Sequence, residues 1–158
     1  MIYSKPQMVL LAERAATEAG LAPELLCALV DVSSAWQPGK VEVAHASLVY
    51  FQGCDVEECS ARNYRWGLTQ VLGSAAREAG YKESLYDLTE PPANLAIGAR
   101  VLAGLVRMAS GQLERALLLW IGIVGSNFPL RVLAKVPQYS AFLNAAERPA
   151  PLEIGRED

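Results

Sequence analysis

Residues Glu24–Pro38 read ELLCALVDVSSAWQP. Leu25, Leu26, Leu29 and Val30 recur at helical spacing and mark a face to be buried. Pro23 is suited to the first turn of such a helix, and Pro38 ends it, because proline disfavours helical backbone in the residue before it. An apolar helix therefore delivers two serines and a tryptophan, Ser33, Ser34 and Trp36, at its C-terminal end. Asp31 lies two positions before Ser33, about 200° round the axis, and should point away from whatever Ser33 faces.

Working outward, Ser4 and Pro6 open a first helix that Gly20 stops, since serine caps free amides and glycine tolerates the left-handed turn at a helix end. From Gly39 to Arg65 there is no helical period, and VEVAHASLVYF (41–51) reads as a short strand or an extended loop. GLTQVLGSAAREAG (67–80) then places Leu68, Val71, Leu72, Ala75 and Ala79 on one helical face, with Gly80 as the stop. Asn94 is the expected cap of the next helix, along which Leu95, Gly98, Leu102 and Leu105 form a line. After Gly111, QLERALLLWIGIV is apolar nearly all round and is expected as a central buried helix. FPLRVLAKV and PQYSAFLNAA are expected as two shorter helices, followed by a loose polar tail from Pro149. The expected fold is all-α with at most a minor β-element between Gly39 and Arg65. Residues 1–148 form one domain, and 149–158 a C-terminal tail.

A chain of 158 residues, 52% hydrophobic and 20% charged, can bury one proper core. Its net charge of −3 lacks the basic stripe of nucleic-acid binders, so no such partner is expected. The longest apolar run, 116–125, falls short of the ~20 residues that span a bilayer. The N-terminal apolar run is broken at Glu13 and Arg14 and has no cleavage pattern, so no secretory signal is expected; location stays open. Cys27 sits on an apolar helix face as a small buried thiol. Cys54 and Cys59 can pair or bind metal, but His45 is the single histidine, so a zinc site lacks ligands; no metal and no cofactor are expected. A histidine with no evident partner is usually structural.

The ordered blocks ELLCALVDVSSAWQP, WGLTQVLGSAAREAGY, NLAIGARVLAGL and ERALLLWIG resemble the soluble-type lytic transglycosylase domain, a lysozyme-like fold related to goose-type lysozyme. The resemblance runs from Leu21 to Phe142 and is closest to phage-like and bacterial members with a long segment between the first two blocks. It implies a substrate of peptidoglycan glycan strands. Family members carry Glu-Ser at the end of the second helix, then an aromatic residue, Asn and Pro. Set on Trp36 and Pro38, the family glutamate falls at Ser33, with Ser34 kept and Gln37 in place of Asn. The family's Gly-Leu-Met-Gln is matched by Gly67, Leu68 and Gln70, with Thr69 for Met. Where the family has an aromatic residue, Asn and Gly, this chain has Trp120, Ile121, Gly122 and Ile123, so the cleft Asn is lost. By resemblance, Ser33, Ser34, Gln70 and Trp120 line one groove, with Ile121 at its wall.

In the family mechanism one carboxylic acid protonates the glycosidic oxygen and, as carboxylate, takes the proton of the sugar's own 6-hydroxyl, closing a 1,6-anhydro ring. A serine hydroxyl is too weak an acid for that task. Glu42, Asp55, Glu57 and Glu58 lie in the insertion, and Glu57 and Glu58 are the candidates for a relocated acid; DVEE also reads as a solvated loop or the first turn of a helix, where acids suit the dipole. Trp36 and Trp120 are expected to pack rather than stack on sugar; Gln70 matches the family's cleft residue and also reads, like Thr69, as a cap of local backbone. Two readings follow. One is an inactive homologue that binds glycan or a protein partner, favoured by the joint changes at Ser33, Ile121 and Ile123. The other is an active transglycosylase or muramidase with a relocated carboxylate.

Overall fold

The computed structural model describes residues 2–44 and 49–144. His45, the middle of the 41–51 stretch and the tail from Pro149 lie outside the described residues. The fold is mainly helical with one small sheet, as the sequence leads one to expect.

Helix α1 (Lys5–Ala19) starts at Ser4, whose hydroxyl accepts from the Gln7 amide while the Gln7 side chain accepts from the Ser4 amide, and it stops on left-handed Gly20. Helix α2 (Pro23–Ser34) is the central element: every residue from Leu25 to Val30 is at most 2% exposed. It lies between α1 and the last helix, α7 (Phe128–Leu143), so its apolar surface is covered all round. The expected central role of 112–124 does not hold. Helix α6 (Leu113–Ile121) buries only Ala116, Leu117 and Trp120, and left-handed Gly122 ends it. Ile123 and Val124 beyond that cap are exposed, because the helix that would have carried them inward has ended. Helix α7 is continuous through Pro137, where two helices were expected. Val132 and Tyr139, buried on either side of the proline, hold it along α2 despite the missing backbone donor.

Strands β1 (Val41–Val43), β2 (Tyr64–Trp66) and β3 (Val71–Leu72) form an antiparallel sheet in that order, with Glu42 opposite Arg65 and Trp66 opposite Val71. The insertion also holds α3 (Val56–Arg62), in which Asp55 caps the Glu58 amide; DVEE is thus a helix start. Residues 67–72 are a turn and a strand rather than the expected helix, and α4 begins only at Gly73 and runs to Glu78. Tertiary contact overrides the apolar period here, through Asn94. That residue does not cap its helix: α5 (Pro91–Met108) starts three residues earlier on Pro91, whose fixed backbone angle and missing amide suit the first position.

Asn94 is fully buried in the first turns of α5. Its Oδ1 accepts from the Thr69 amide at 2.9 Å and the Thr69 hydroxyl at 2.7 Å, and its Nδ2 donates to the Trp66 and Leu88 carbonyls at 2.7 and 2.8 Å. The turn is pressed so close that a Cβ on left-handed Gly67 would come within 2.5 Å of Asn94 Nδ2, and one on Gly98 within 2.5 Å of the Thr69 hydroxyl.

A second tie joins α3 to α4. The Glu58 carboxylate accepts from Arg77 at 2.7 and 3.1 Å and from Arg62 at 3.0 Å. The Arg77 hydrogen bonds hold its pKa below the ordinary value of 4.5; burial opposes them, and the Arg62 hydrogen bond and the charges of both arginines add to the lowering.

Asn94→Ala removes all four bonds and leaves the buried Thr69 amide and two carbonyls unpaired, so it should lower unfolding free energy by about 3 kcal/mol in urea denaturation. Because the folded pKa of Glu58 is depressed, its ion pairs stabilise the fold above the unfolded value near 4.5, and that contribution fades as pH falls through the folded value. Melting temperature followed from pH 6 to pH 3 should therefore fall less steeply in Glu58→Gln than in the parent, from a lower starting value.

Candidate functional site

The site at the end of α2 is set by an unusual turn. Ala35 and Trp36 both have left-handed backbone, φ 50° and 61°, a conformation costly without glycine. Side-chain bonds hold it. The Trp36 indole donates to the Tyr139 hydroxyl at 2.8 Å, and that hydroxyl donates to the Asp31 carboxylate at 2.5 Å, with Lys135 Nζ 3.8 Å from the other carboxylate oxygen. Burial, then the hydrogen bond to Asp31, pushes the Tyr139 hydroxyl well above its ordinary pKa, so it stays a neutral donor. Asp31 is thus spent on α7, the far side of α2 from Ser33.

Ser33 is buried at 9% exposure, and its hydroxyl has no hydrogen-bond partner. Its backbone carbonyl accepts from Lys40 Nζ at 2.8 Å. The Lys40 ammonium also lies 3.4 Å from Glu42, and its own carbonyl accepts from Gln70 Nε2 at 2.9 Å. Lys40 therefore links the end of α2 to the 67–70 turn, bringing Ser33 and Gln70 to the same side of the molecule. Gln70 is in the left-handed region, φ 55°; its amide also bonds the Gly67 carbonyl, and its Oε1 is buried without a partner. Ser33 Oγ and Gln70 Oε1 are the two orphaned buried side-chain oxygens among the described residues, and both belong to residues that bond Lys40 through other atoms.

Arg65 extends the chain of contacts to α6. Its guanidinium donates to the Gln70 carbonyl at 3.3 Å, to that of Trp120 at 3.3 Å and to that of Ile121 at 3.1 Å, capping the C-terminal end of the helix. Burial lowers its pKa, and Glu42 opposes that weakly. Trp120 is buried at 6% and Ile121 is half-buried, so Ser33, Gln70, Trp120 and Ile121 are connected through two cations. Ser34 is turned otherwise: it is 3% exposed and its hydroxyl donates back to the Val30 carbonyl at 3.1 Å within α2.

Lys40 and Arg65 escape notice in the sequence, because each works through carbonyl groups contributed by distant segments. Glu57 and Glu58 sit elsewhere, at a cavity of about 190 Å³ shared with Asp55 and Tyr86. Glu58 is the carboxylate clamped by Arg62 and Arg77. Cys54 and Cys59 are joined in a disulfide and offer no thiolates to a metal; among the described residues no cluster of three or more His, Cys, Asp or Glu side chains is placed to hold one. Cys27 is buried and its thiol is pushed up to about 12, mainly by desolvation, which makes it inert. Among the described residues no helix is long and apolar enough to cross a membrane.

No curated protein and no solved structure matches the chain. The family model described as the transglycosylase SLT domain matches residues 11–120, from α1 through Trp120 of α6, and so covers Ser33, Lys40, Arg65 and Gln70 but not Ile121 or α7. The chain belongs to the transglycosylase SLT domain family, the lysozyme-like family tied to peptidoglycan glycan strands.

Proposed function

We propose that this chain is a non-catalytic member of the family, a binding module that kept the transglycosylase fold for glycan strands or a protein partner while losing the acid. The observation that carries this reading is the occupant of the family's acid position: Ser33, a buried hydroxyl with a lysine ammonium on its own carbonyl. General acid-base catalysis is worth roughly 10²–10⁴-fold and needs a group whose pKa lies near the working pH. Serine does not supply one.

The neighbourhood supports the same reading. A carboxyl group restored at position 33 would sit beside the Lys40 ammonium, which favours the ionised form, whereas the first step needs the protonated one. The relocated-acid alternative meets the same obstacle at Glu58, whose two arginine partners hold it as a carboxylate. Glu57 carries no such clamp and stands as the group to test for that alternative. The Cys54–Cys59 bond fits an oxidising compartment, where disulfides persist and where a peptidoglycan ligand is reached.

Purified protein incubated with peptidoglycan should release no 1,6-anhydromuropeptide above background in a chromatographic assay. Ser33→Glu alone should recover little, and Ser33→Glu combined with Lys40→Leu and Ile121→Asn should recover more, up to ~10²-fold over background if acid-base help is the missing part. Parent turnover that survives Ser33→Ala and disappears in Glu57→Gln or Glu58→Gln would replace this reading with that of an active enzyme.

A further inference from the structure

A groove of about 500 Å³ runs between α4, α5 and α6, beginning at Trp120 and Arg65. Its volume is within the range of ligand sites. Its floor is apolar, and Met108 and Leu119 remain 71% and 45% exposed along it. Two exposed arginines of α5, Arg100 and Arg107, line it, and neither has a carboxylate within ion-pair distance among the described residues; the Arg100 guanidinium donates to the Ala79 carbonyl at 3.3 Å.

Gly104, midway between them on the same helix, is the second observation. The interior of a helix is a costly place for glycine, by about 1 kcal/mol relative to alanine. Elsewhere on α5 the chain itself explains the residue, since Gly98 is pressed by Thr69. At Gly104 it does not: an added Cβ would meet nothing closer than Arg107 Nη2 at 3.8 Å, an ordinary contact. The space above Gly104 is the groove, so the missing side chain gives close access to the α5 backbone for something outside this chain.

We propose that this groove docks an acidic, apolar peptide segment of a protein partner. Arg100 and Arg107 are seven positions apart, about 10 Å along the helix, and set the spacing of two carboxylates that flank apolar side chains lying over Gly104 against Met108 and Leu119. Charge complementarity decides the sign of the partner, since the single acid of the lining, Glu78, is outnumbered by the exposed Arg100 and Arg107. Apolar rim residues favour peptide over sugar, which needs polar partners for its hydroxyls. The inference deepens the protein-partner branch of the proposed function and rests on it.

The test uses the intact chain and three probes: a fluorescent helical peptide with glutamates seven residues apart and leucine and alanine between them, its lysine counterpart, and chitotetraose. The acidic peptide should bind at least about tenfold more tightly than the basic one, with affinity that weakens as salt rises. Arg100→Glu with Arg107→Glu should cost about tenfold or more, and Gly104→Met, which suits a helix and fills the groove, should abolish binding while circular dichroism and melting temperature show the fold retained. Equal affinity for the two peptides, or binding untouched by Gly104→Met and by the charge reversals, overturns the proposal. Chitotetraose binding that Gly104→Met blocks, with the acidic peptide failing to bind, assigns the groove to glycan and overturns it too. Turnover of peptidoglycan, run on the same samples, reports separately on the non-catalytic reading: release of anhydromuropeptide sinks that reading, whereas failed peptide binding without release sinks only this one.

Discussion

The buried amide of Asn94 is the constraint on which the rest of the site depends. One side chain satisfies the Thr69 amide and hydroxyl and the carbonyls of Trp66 and Leu88, so the turn after β2, the 3-10 turn at Leu85–Thr89 and the start of α5 are fixed relative to one another. A turn with left-handed Gly67 and left-handed Gln70 has little intrinsic preference for its shape; four hydrogen bonds in a dry environment supply it. From that turn the order passes outward. Gln70 presents its side-chain amide to Lys40 and its backbone carbonyl to Arg65, and those two cations reach α2 and α6.

A matching constraint operates on the other flank. Ala35 and Trp36 adopt left-handed backbone without glycine, and the hydrogen bonds from Trp36 to Tyr139 and from Tyr139 to Asp31 hold that strain. The end of α2 is thus fixed from α7 on one side and from Lys40 on the other. The Ser33 hydroxyl and the Gln70 side-chain oxygen are left with no partner among the described residues. Unpaired buried oxygens are a cost to folding that a bound polar group or water relieves.

The elements most legible in the sequence are those whose ends obey local rules. Ser4, Gln7 and Gly20 bound α1 by hydrogen bonds within a few residues, and Pro23 opens α2 in the same way. Misreadings arose where distant partners decide. Val71 and Leu72 carry a helical period, yet pairing with β2 makes them a strand. Asn94 looks like a cap because caps and buried amides use the same side chain, and the difference lies in partners 25 and 28 residues away. The run from Ala116 to Gly125 looks central because hydropathy does not register that Gly122 ends the helix. At the site, Lys40 and Arg65 were not readable in the sequence, since cations that bond backbone carbonyls leave no pattern of paired charges.

These cations also bear on how the family's chemistry could be lost without losing the fold. A general acid must hold its proton until the leaving oxygen takes it, and environments that raise a carboxyl pKa are apolar or negatively charged. Here Lys40 stands on the Ser33 carbonyl, and Arg65 gathers the carbonyls of Gln70, Trp120 and Ile121. These bonds stabilise the frame, and the Lys40 ammonium adds positive charge beside position 33. With a glutamate at position 33 that stabilisation would come at the expense of catalysis; with serine there is no proton to hold, and the cations are free to serve the structure. Lys40 on the Ser33 carbonyl and Arg65 on the end of α6 hold the frame through backbone oxygens, so the frame does not depend on which side chain stands at position 33.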